Sequence, residues 1–442
     1  MKAINLFCLT ALLLLLISVS CNSPEENVVS KINADINTPG AMFMSDFHIG
    51  EVYGGVTRIL PNNDTLKLCY ISTVVGNDTI YYRKEINKIV HSLDSITHFS
   101  GTKIPFIVLL GDIFDMAVHN ETDALNLSHL FFTKVKFESN YSETSRSFIS
   151  FFDNIIYLPG NHDHHVWKML QEEYYISQHL TEYGYALKLP QQSPAVLNLD
   201  NNEILVQDSI IFPDKRKNFI SSVLSDNLLD VFVAYPNLYI EYGEVDKDNS
   251  KPGVCVTHGH FFEPGWNKSS LNFDSKIKHM DDAKYFSELE KNNSPLTEFS
   301  DFAVAQTFDT MAQGISDLQF GYSDYEPIYE KLSALYPQLF PIKMEKSHKT
   351  KDFDEITLNE YSQLADTFLV RTKSQMKSYN IDFKELIYGH THVPCFNLNY
   401  DKGFSLKIYN TGGWVNINEV SRPNPMFLYG DGNIVSVLPL NN

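Results

Sequence analysis

Short apolar runs that break off at a polar cluster constrain this chain more than any other feature. Ala41-Met42-Phe43-Met44 leads into Ser45-Asp46-Phe47-His48, and Phe106-Ile107-Val108-Leu109-Leu110 leads into Gly111-Asp112-Ile113-Phe114-Asp115. Ile155-Ile156-Tyr157-Leu158 is followed by Pro159-Gly160-Asn161-His162-Asp163. Val254-Cys255-Val256 meets Thr257-His258-Gly259-His260, and Leu386-Ile387-Tyr388 meets Gly389-His390-Thr391-His392. Runs this short, with β-branched residues and Gly or Pro at their boundaries, predict strands buried on both faces. Helical patterns lie between several of them, over Tyr82–His98, Trp167–Tyr183 and Asp354–Tyr379. In the last, Tyr361, Leu364 and Phe368 fall at i, i+3 and i+7, one face of a helix. A further strand is expected at Val231–Tyr235. Strands alternating with helices argue for an α/β fold with its functional groups at the strand C-terminal ends.

The chain is long enough for a large core. Of its 442 residues 43% are hydrophobic, including 30 Phe and 24 Tyr, which excludes a disordered chain. A formal charge of −19 argues against broad phosphate-backbone contact, so no nucleic-acid binding is expected. At the N-terminus Lys2 precedes an apolar run through Ile17 and then small residues up to Cys21. This predicts a secretory signal over residues 1–20, too short to span a membrane, which takes ~20 apolar residues. Cys21 after Ser18-Val19-Ser20 resembles the lipobox of bacterial lipoproteins, which implies lipid attachment at Cys21. The expected location is the cell envelope, anchored at the outer membrane. The polar residues 21–40 read as a flexible tether and 41–442 as one domain. Within it, residues 261–380 read as a helical insertion, with helical stretches at Asp281–Lys291, Leu296–Asp317 and Tyr325–Tyr336, expected to cap the strand ends. Cys69, Cys255 and Cys395 allow at most one disulfide, and Cys255 is expected in the core.

The polar clusters together offer oxygen and nitrogen donors: Asp46, His48, Asp112, Asn161, His258, His390 and His392. No thiolate is among them. Imidazole with carboxylate suits Zn, Fe or Mn, whereas a mostly oxygen environment would favour Mn or Mg. One Asp-x-His or one Gly-His-Thr-His means little alone, since strand-end Asp and His usually serve turns. Their recurrence in a fixed order is far more specific.

The ordered set Asp46-x-His48, Gly111-Asp112-x-x-Asp115, Gly160-Asn161-His162-Asp163, His258 and Gly389-His390-x-His392 resembles the calcineurin-like metallophosphoesterase family, from about Met42 to Trp414. The resemblance implies a four-layer α/β/β/α sandwich around two divalent metal ions. One ion would be held by Asp46, His48, Asp112 and His392, the other by Asp112, Asn161, His258 and His390. It further implies attack by a metal-bridging hydroxide, His162 as general acid and Asp115 orienting His162. The implied activity is hydrolysis of phosphomonoester, phosphodiester or pyrophosphate bonds in a small phosphorylated substrate. Asn410-Thr411-Gly412-Gly413-Trp414 resembles an element of the UDP-diacylglucosamine pyrophosphohydrolase branch, which raises a nucleotide- or lipid-linked pyrophosphate as the alternative. A non-catalytic binding lipoprotein is the other, and the intact ligand set argues against it. Of the remaining polar residues, His164 and His165 are expected in structural or supporting roles and His260 beside the ligands rather than among them. Phe261, Phe262 and Trp266 wall the substrate site or belong to the core. Arg146, Arg216 and Arg371 grip phosphate or are solvated.

Overall fold

The computed structural model describes residues 38–438 except 52–53, 62–63, 117–119, 177–190, 206–217, 263–281, 299–354, 393, 402 and 416–421. The expected signal, Cys21 and all of the tether but 38–40 therefore lie outside the described residues. The chain enters through β1 (Ala41–Met44), β2 (Val56–Thr57), β3 (Tyr70–Val75), β4 (Asp78–Arg83), α1 (Glu85–Ser100) and β5 (Ile104–Leu109). Next come α2 (Glu121–His129), β6 (Phe152–Tyr157), α3 (His164–Tyr175), β7 (Ala195–Asn198), β8 (Glu203–Leu205) and α4 (Phe219–Ser225). Then follow β9 (Asp230–Val233), β10 (Asn237–Glu241), β11 (Lys251–Thr257), α5 (Asp282–Glu298) and α6 (Glu355–Ser378). The chain ends in β12 (Ile381–Tyr388), β13 (Cys395–Asp401), β14 (Ser405–Asn410), β15 (Met426–Leu428) and β16 (Ile434–Ser436).

These elements make a mixed α/β fold. A six-stranded sheet has the order β16-β15-β1-β5-β6-β9, and a seven-stranded one the order β13-β14-β12-β11-β10-β7-β8. In the first, β1, β5, β6 and β9 run parallel, so their C-terminal ends share one edge. In the second, β11, β12 and β14 are parallel in the same way.

Alternation along the strands assigns the faces. Met42, Met44, Ile107, Leu109, Ile155 and Tyr157 pack with Ile86, Ile89 and Leu93 of α1, Leu127 of α2, and Val166 and Leu170 of α3. The intervening Ala41, Phe43, Phe106, Val108 and Ile156 pack with Leu238, Ile240, Val254, Val256 and Ile387 of the other sheet. Tyr239, Cys255 and Leu386 face Leu369 and Met376 of α6. Each fully buried aliphatic or aromatic side chain contributes roughly 1.5–3 kcal/mol. Cys69, Cys255 and Cys395 are all free thiols, and Cys255 is buried.

Several boundaries differ from the sequence reading. Tyr82 and Arg83 belong to β4, which pairs with β3 in a hairpin, so α1 starts only at Glu85. α3 begins at His164, three residues before its apolar pattern, because Asp163 turns the chain there. α6 matches its expected span. α5 runs on past Lys291 to Glu298, while most of Leu296–Asp317 and all of Tyr325–Tyr336 lie outside the described residues. Tyr285, Phe286 and Leu289 of α5 and Phe368 of α6 are buried in the cluster that backs the first sheet. This described part of the insertion is therefore built into the core. No described helix is long and apolar enough to cross a membrane.

Candidate metal centre

Parallel strands deliver the polar clusters to one place. β1 ends just before Asp46, β5 before Asp112 and β6 before Asn161 on the first sheet. β11 ends before His258, and β12 before His390 and His392, on the second. Backbone bonds lock the loops together: the Asp46 amide donates to Gly111 O (3.0 Å), His48 to Asp112 O (2.9 Å) and Gly389 to His258 O (2.9 Å). Asp46, His48, Asp112, His390 and His392 all have left-handed backbone, with φ of 52°, 47°, 50°, 66° and 56°. Such conformations cost non-glycine residues about 1–3 kcal/mol each and persist only where the surroundings over-determine them. Gly160 is required for a different reason: a Cβ there would fall 2.6 Å from the Asp112 amide nitrogen.

The predicted ligands form two sets of converging donors, and a third set joins His48 to Asp115 and His162. Asp46, His48 and His392 make one, and Asp112, His258 and His390 the other, with the donor atoms of each within 4.8 Å of one another. Asp112 leans toward both, its Oδ2 lying 3.2 Å from His258 Nε2 and 3.8 Å from His48 Nε2. Asn161 Oδ1 lies 3.0 Å from His258 Nε2. All seven sequence-predicted ligands are thus brought together.

The tautomers indicate what this place accepts. His258 Nδ1 sits 2.7 Å from Leu110 O and so must donate its proton to it. In a neutral ring that leaves the Nε2 lone pair facing two acceptor oxygens, Asp112 Oδ2 and Asn161 Oδ1. Likewise His48 Nδ1 donates to Asp115 Oδ2 (2.8 Å), which turns its Nε2 toward His392 Nε2 at 3.0 Å. Nitrogens and oxygens aimed at one another hold either a shared proton or a cation between them, and this donor set fits divalent metal ions. The donors, imidazole and carboxylate with one amide oxygen, suit Zn, Fe or Mn.

Electrostatics points the same way. Burial opposes a charge on His258, yet Asp112 and Asp46 outweigh it and push its pKa up to about 9, so that a proton on Nε2 holds the place between the rings and carboxylates that a metal ion would take. His162 behaves similarly: burial is overcome by Asp115 and Asp112, and its pKa rises to about 9. His48 goes the other way, lowered by burial despite Asp115, which favours the neutral ring. Asp163, raised to about 6 by burial and by Asp112, accepts from the Ile113 amide (2.8 Å) and the Gly160 amide (2.5 Å). The site is a buried acidic concentration that calls for positive charge.

Asp115 has a wider part than expected. Its Oδ2 takes His48 Nδ1 and its Oδ1 takes His162 Nδ1 (3.1 Å), so one carboxylate orients a ligand and the candidate acid together. Ser45 was not foreseen; its hydroxyl bonds to Asp46 Oδ2 and to Thr411 Oγ1. The Asn410–Trp414 element braces the same corner, with the Trp414 amide donating to Asp46 O (3.1 Å) and its ring stacked on Phe47. His260 begins a 3-10 turn and is buried 5.5 Å from the His258 ring, and neither of its nitrogens has a hydrogen-bond partner among the described residues. Phe261 is core and packs on Phe368, as does Phe262. Trp266 and Arg216 lie outside the described residues. Arg146 bonds Thr97 and Ser150 O over the Phe151 ring, and Arg371 lies over Tyr285, so both have structural contacts. No protein-family model matches the chain, and a search of curated proteins returns no match.

Proposed function

We propose that this protein is a two-metal phosphoesterase built as a four-layer α/β/β/α sandwich. The observation that carries the reading is the convergence of Asp46, His48 and His392 and of Asp112, His258 and His390, with His258 Nε2 aimed at Asp112 and Asn161 oxygens by the bond of Nδ1 to Leu110 O. The layering is supported by the three apolar clusters, one between the sheets and one against the helices on each outer face. Asp46, His48, Asp112 and His392 would hold one ion; Asp112, Asn161, His258 and His390 the other. When bound, such a pair supplies hydroxide near neutral pH and neutralises charge on the phosphoryl oxygens.

The chain's own residues do the rest. Asp115 holds His162 by Nδ1, which leaves Nε2–H to protonate the departing oxygen of the ester. Asp163 ties the loop that carries Asn161 and His162 to the loop that carries Asp112.

Elemental analysis of the purified protein should find close to two divalent ions per chain, with turnover of a chromogenic phosphomonoester or diester. No bound metal, and no activity with added Mn²⁺, Zn²⁺ or Fe²⁺, would overturn the reading. The proposed substrate is a small phosphorylated molecule met in the cell envelope, where Cys21 anchors the chain by lipid. Cys21→Ser should leave the membrane fraction and keep its activity; retention in the membrane would refute the anchor.

A further inference from the structure

The described part of the insertion reaches the metal centre through a buried ionic cluster that the mechanism above does not use. His164, the first residue of α3 and two after the candidate acid His162, is fully buried. Its ring is gripped at both nitrogens by α5: Nε2 lies 2.9 Å from Glu290 Oε1 and Nδ1 lies 2.6 Å from Glu298 Oε1. Glu298 Oε2 also takes His165 Nδ1 (2.7 Å). Glu290 carries two further bonds, from Lys168 Nζ one turn along α3 (3.2 Å) and from Tyr235 Oη just beyond β9 (2.6 Å). Tyr235 in turn stacks on Trp167 of α3. The charges are arranged well: carboxylates face the positive N-terminal end of α3, where His164, His165 and Lys168 also project.

Seen from His162, the loop is fastened on two sides. Asp163 ties it to the Asp112 loop, and His164, the very next residue, ties it to α5. We infer that Glu290 and Glu298 are positioning residues: they fix the start of α3 and thereby hold His162 in line with Asp115 and the departing oxygen. The insertion would then contribute to proton delivery as well as to any substrate choice. The kinetic part of this inference rests on the phosphoesterase reading; the geometric part does not.

The test uses the full chain loaded with metal. Glu290→Gln keeps the shape and loses the charge. Its kcat on an ester with a poor leaving group should fall about 10- to 100-fold, the usual effect of a group that orients an active-site residue, with KM and metal content held. The loss should shrink as the leaving group improves. It should also vanish in a His162→Ala background, because a residue that acts only through His162 has nothing left to act on. Equal losses in both backgrounds, or no loss in either, would overturn the inference. If Glu290→Gln does not fold, Glu298→Gln at a partly exposed position carries the same test.

An NMR measurement separates the two readings. In histidine-labelled protein the His162 Nδ1–H resonance, identified by its loss in His162→Ala, should shift in Glu290→Gln as the bond to Asp115 loosens. If wild type hydrolyses no phosphoester, the phosphoesterase reading fails and this resonance still decides the positioning claim. An unchanged resonance overturns it.

Discussion

Each residue at the centre is constrained by its second contact as much as by its first. His258 is oriented by Leu110 O, His48 by Asp115, and Asp46 by Ser45 and the His390 amide (2.9 Å). Asp112 Oδ2 lies near a histidine of each donor set, His258 (3.2 Å) and His48 (3.8 Å), while Asp46 pairs with His392 (3.4 Å) of its own. Asp112→Asn should therefore lose more bound metal and more activity than Asp46→Asn, measured side by side by elemental analysis and steady-state rates. Equal losses would contradict the two-set geometry. In the proposed role His162 gives up a proton rather than binding metal, so His162→Ala should keep its metal and lose ~10²–10⁴-fold in kcat. The deficit should be greatest on alkyl esters and smallest on esters whose leaving group departs without a proton. A flat profile across leaving groups would remove His162 from that role. The left-handed backbone at five of the candidate ligands was not legible in the sequence, although Asp and His tolerate it better than most residues. It follows from the meeting of several loops, which no single segment encodes.

At the scale of elements, legibility followed locality. β1, β5, β6, β11 and β12 could be read because each is a short apolar run cut off by Gly, Pro or a charged group, and each carried its ligands with it. The start of α1 was misplaced because Tyr82 and Arg83 fit a helical pattern equally well until β3 pairs with them. The partners of His164 were out of reach for a different reason. Glu290 lies 126 positions away, and only the packing of α5 on α3 brings the two together. That pairing has a pH signature. Burial disfavours the charged His164 ring, but Glu290 and Glu298 outweigh it and raise its pKa from 6.5 to about 9. A raised folded-state pKa contributes stability that is fully present below 6.5 and is lost as pH climbs through about 9. The melting temperature of wild type should thus exceed that of His164→Gln most at mildly acidic pH, and the gap should narrow toward pH 9. A gap that is constant with pH would mean the ring is neutral in the folded protein. The same packing shows why residues 261–380 cannot be cut out as a block. Phe286 and Phe368 pack ring to ring at 5.2 Å inside the core, and losing one buried Phe side chain costs about 3–5 kcal/mol.

For the whole molecule, the consequence lies in which sheet supplies which ligand. Asp46, His48, Asp112 and Asn161 follow strands of the six-stranded sheet, whereas His258, His390 and His392 follow strands of the seven-stranded one. Each of the two predicted ligand sets takes members from both. The two sheets are already joined by an apolar interface, but at this edge they meet through buried acids and imidazoles. Asp46 and Asp112 repel each other at the edge of the six-stranded sheet and lean on His392 and His258 of the other sheet for countercharge, while five residues there hold left-handed backbone. Ions bound there would act as a fastening between sheets, and a ligand that binds only the folded state stabilises it by RT ln(1 + [L]/Kd), about 2.7 kcal/mol at a hundredfold excess over Kd. Stripping divalent ions with a chelator should therefore lower the melting temperature by several degrees. Stepwise return of Mn²⁺ or Zn²⁺ should restore it, saturating near two equivalents. Asp112→Asn should melt lower to begin with and respond far less, since the carboxylate shared by both sets is gone. A melting temperature that ignores chelator and metal alike would mean the edge is held by protein groups alone, and the clustering of these seven residues would need another explanation.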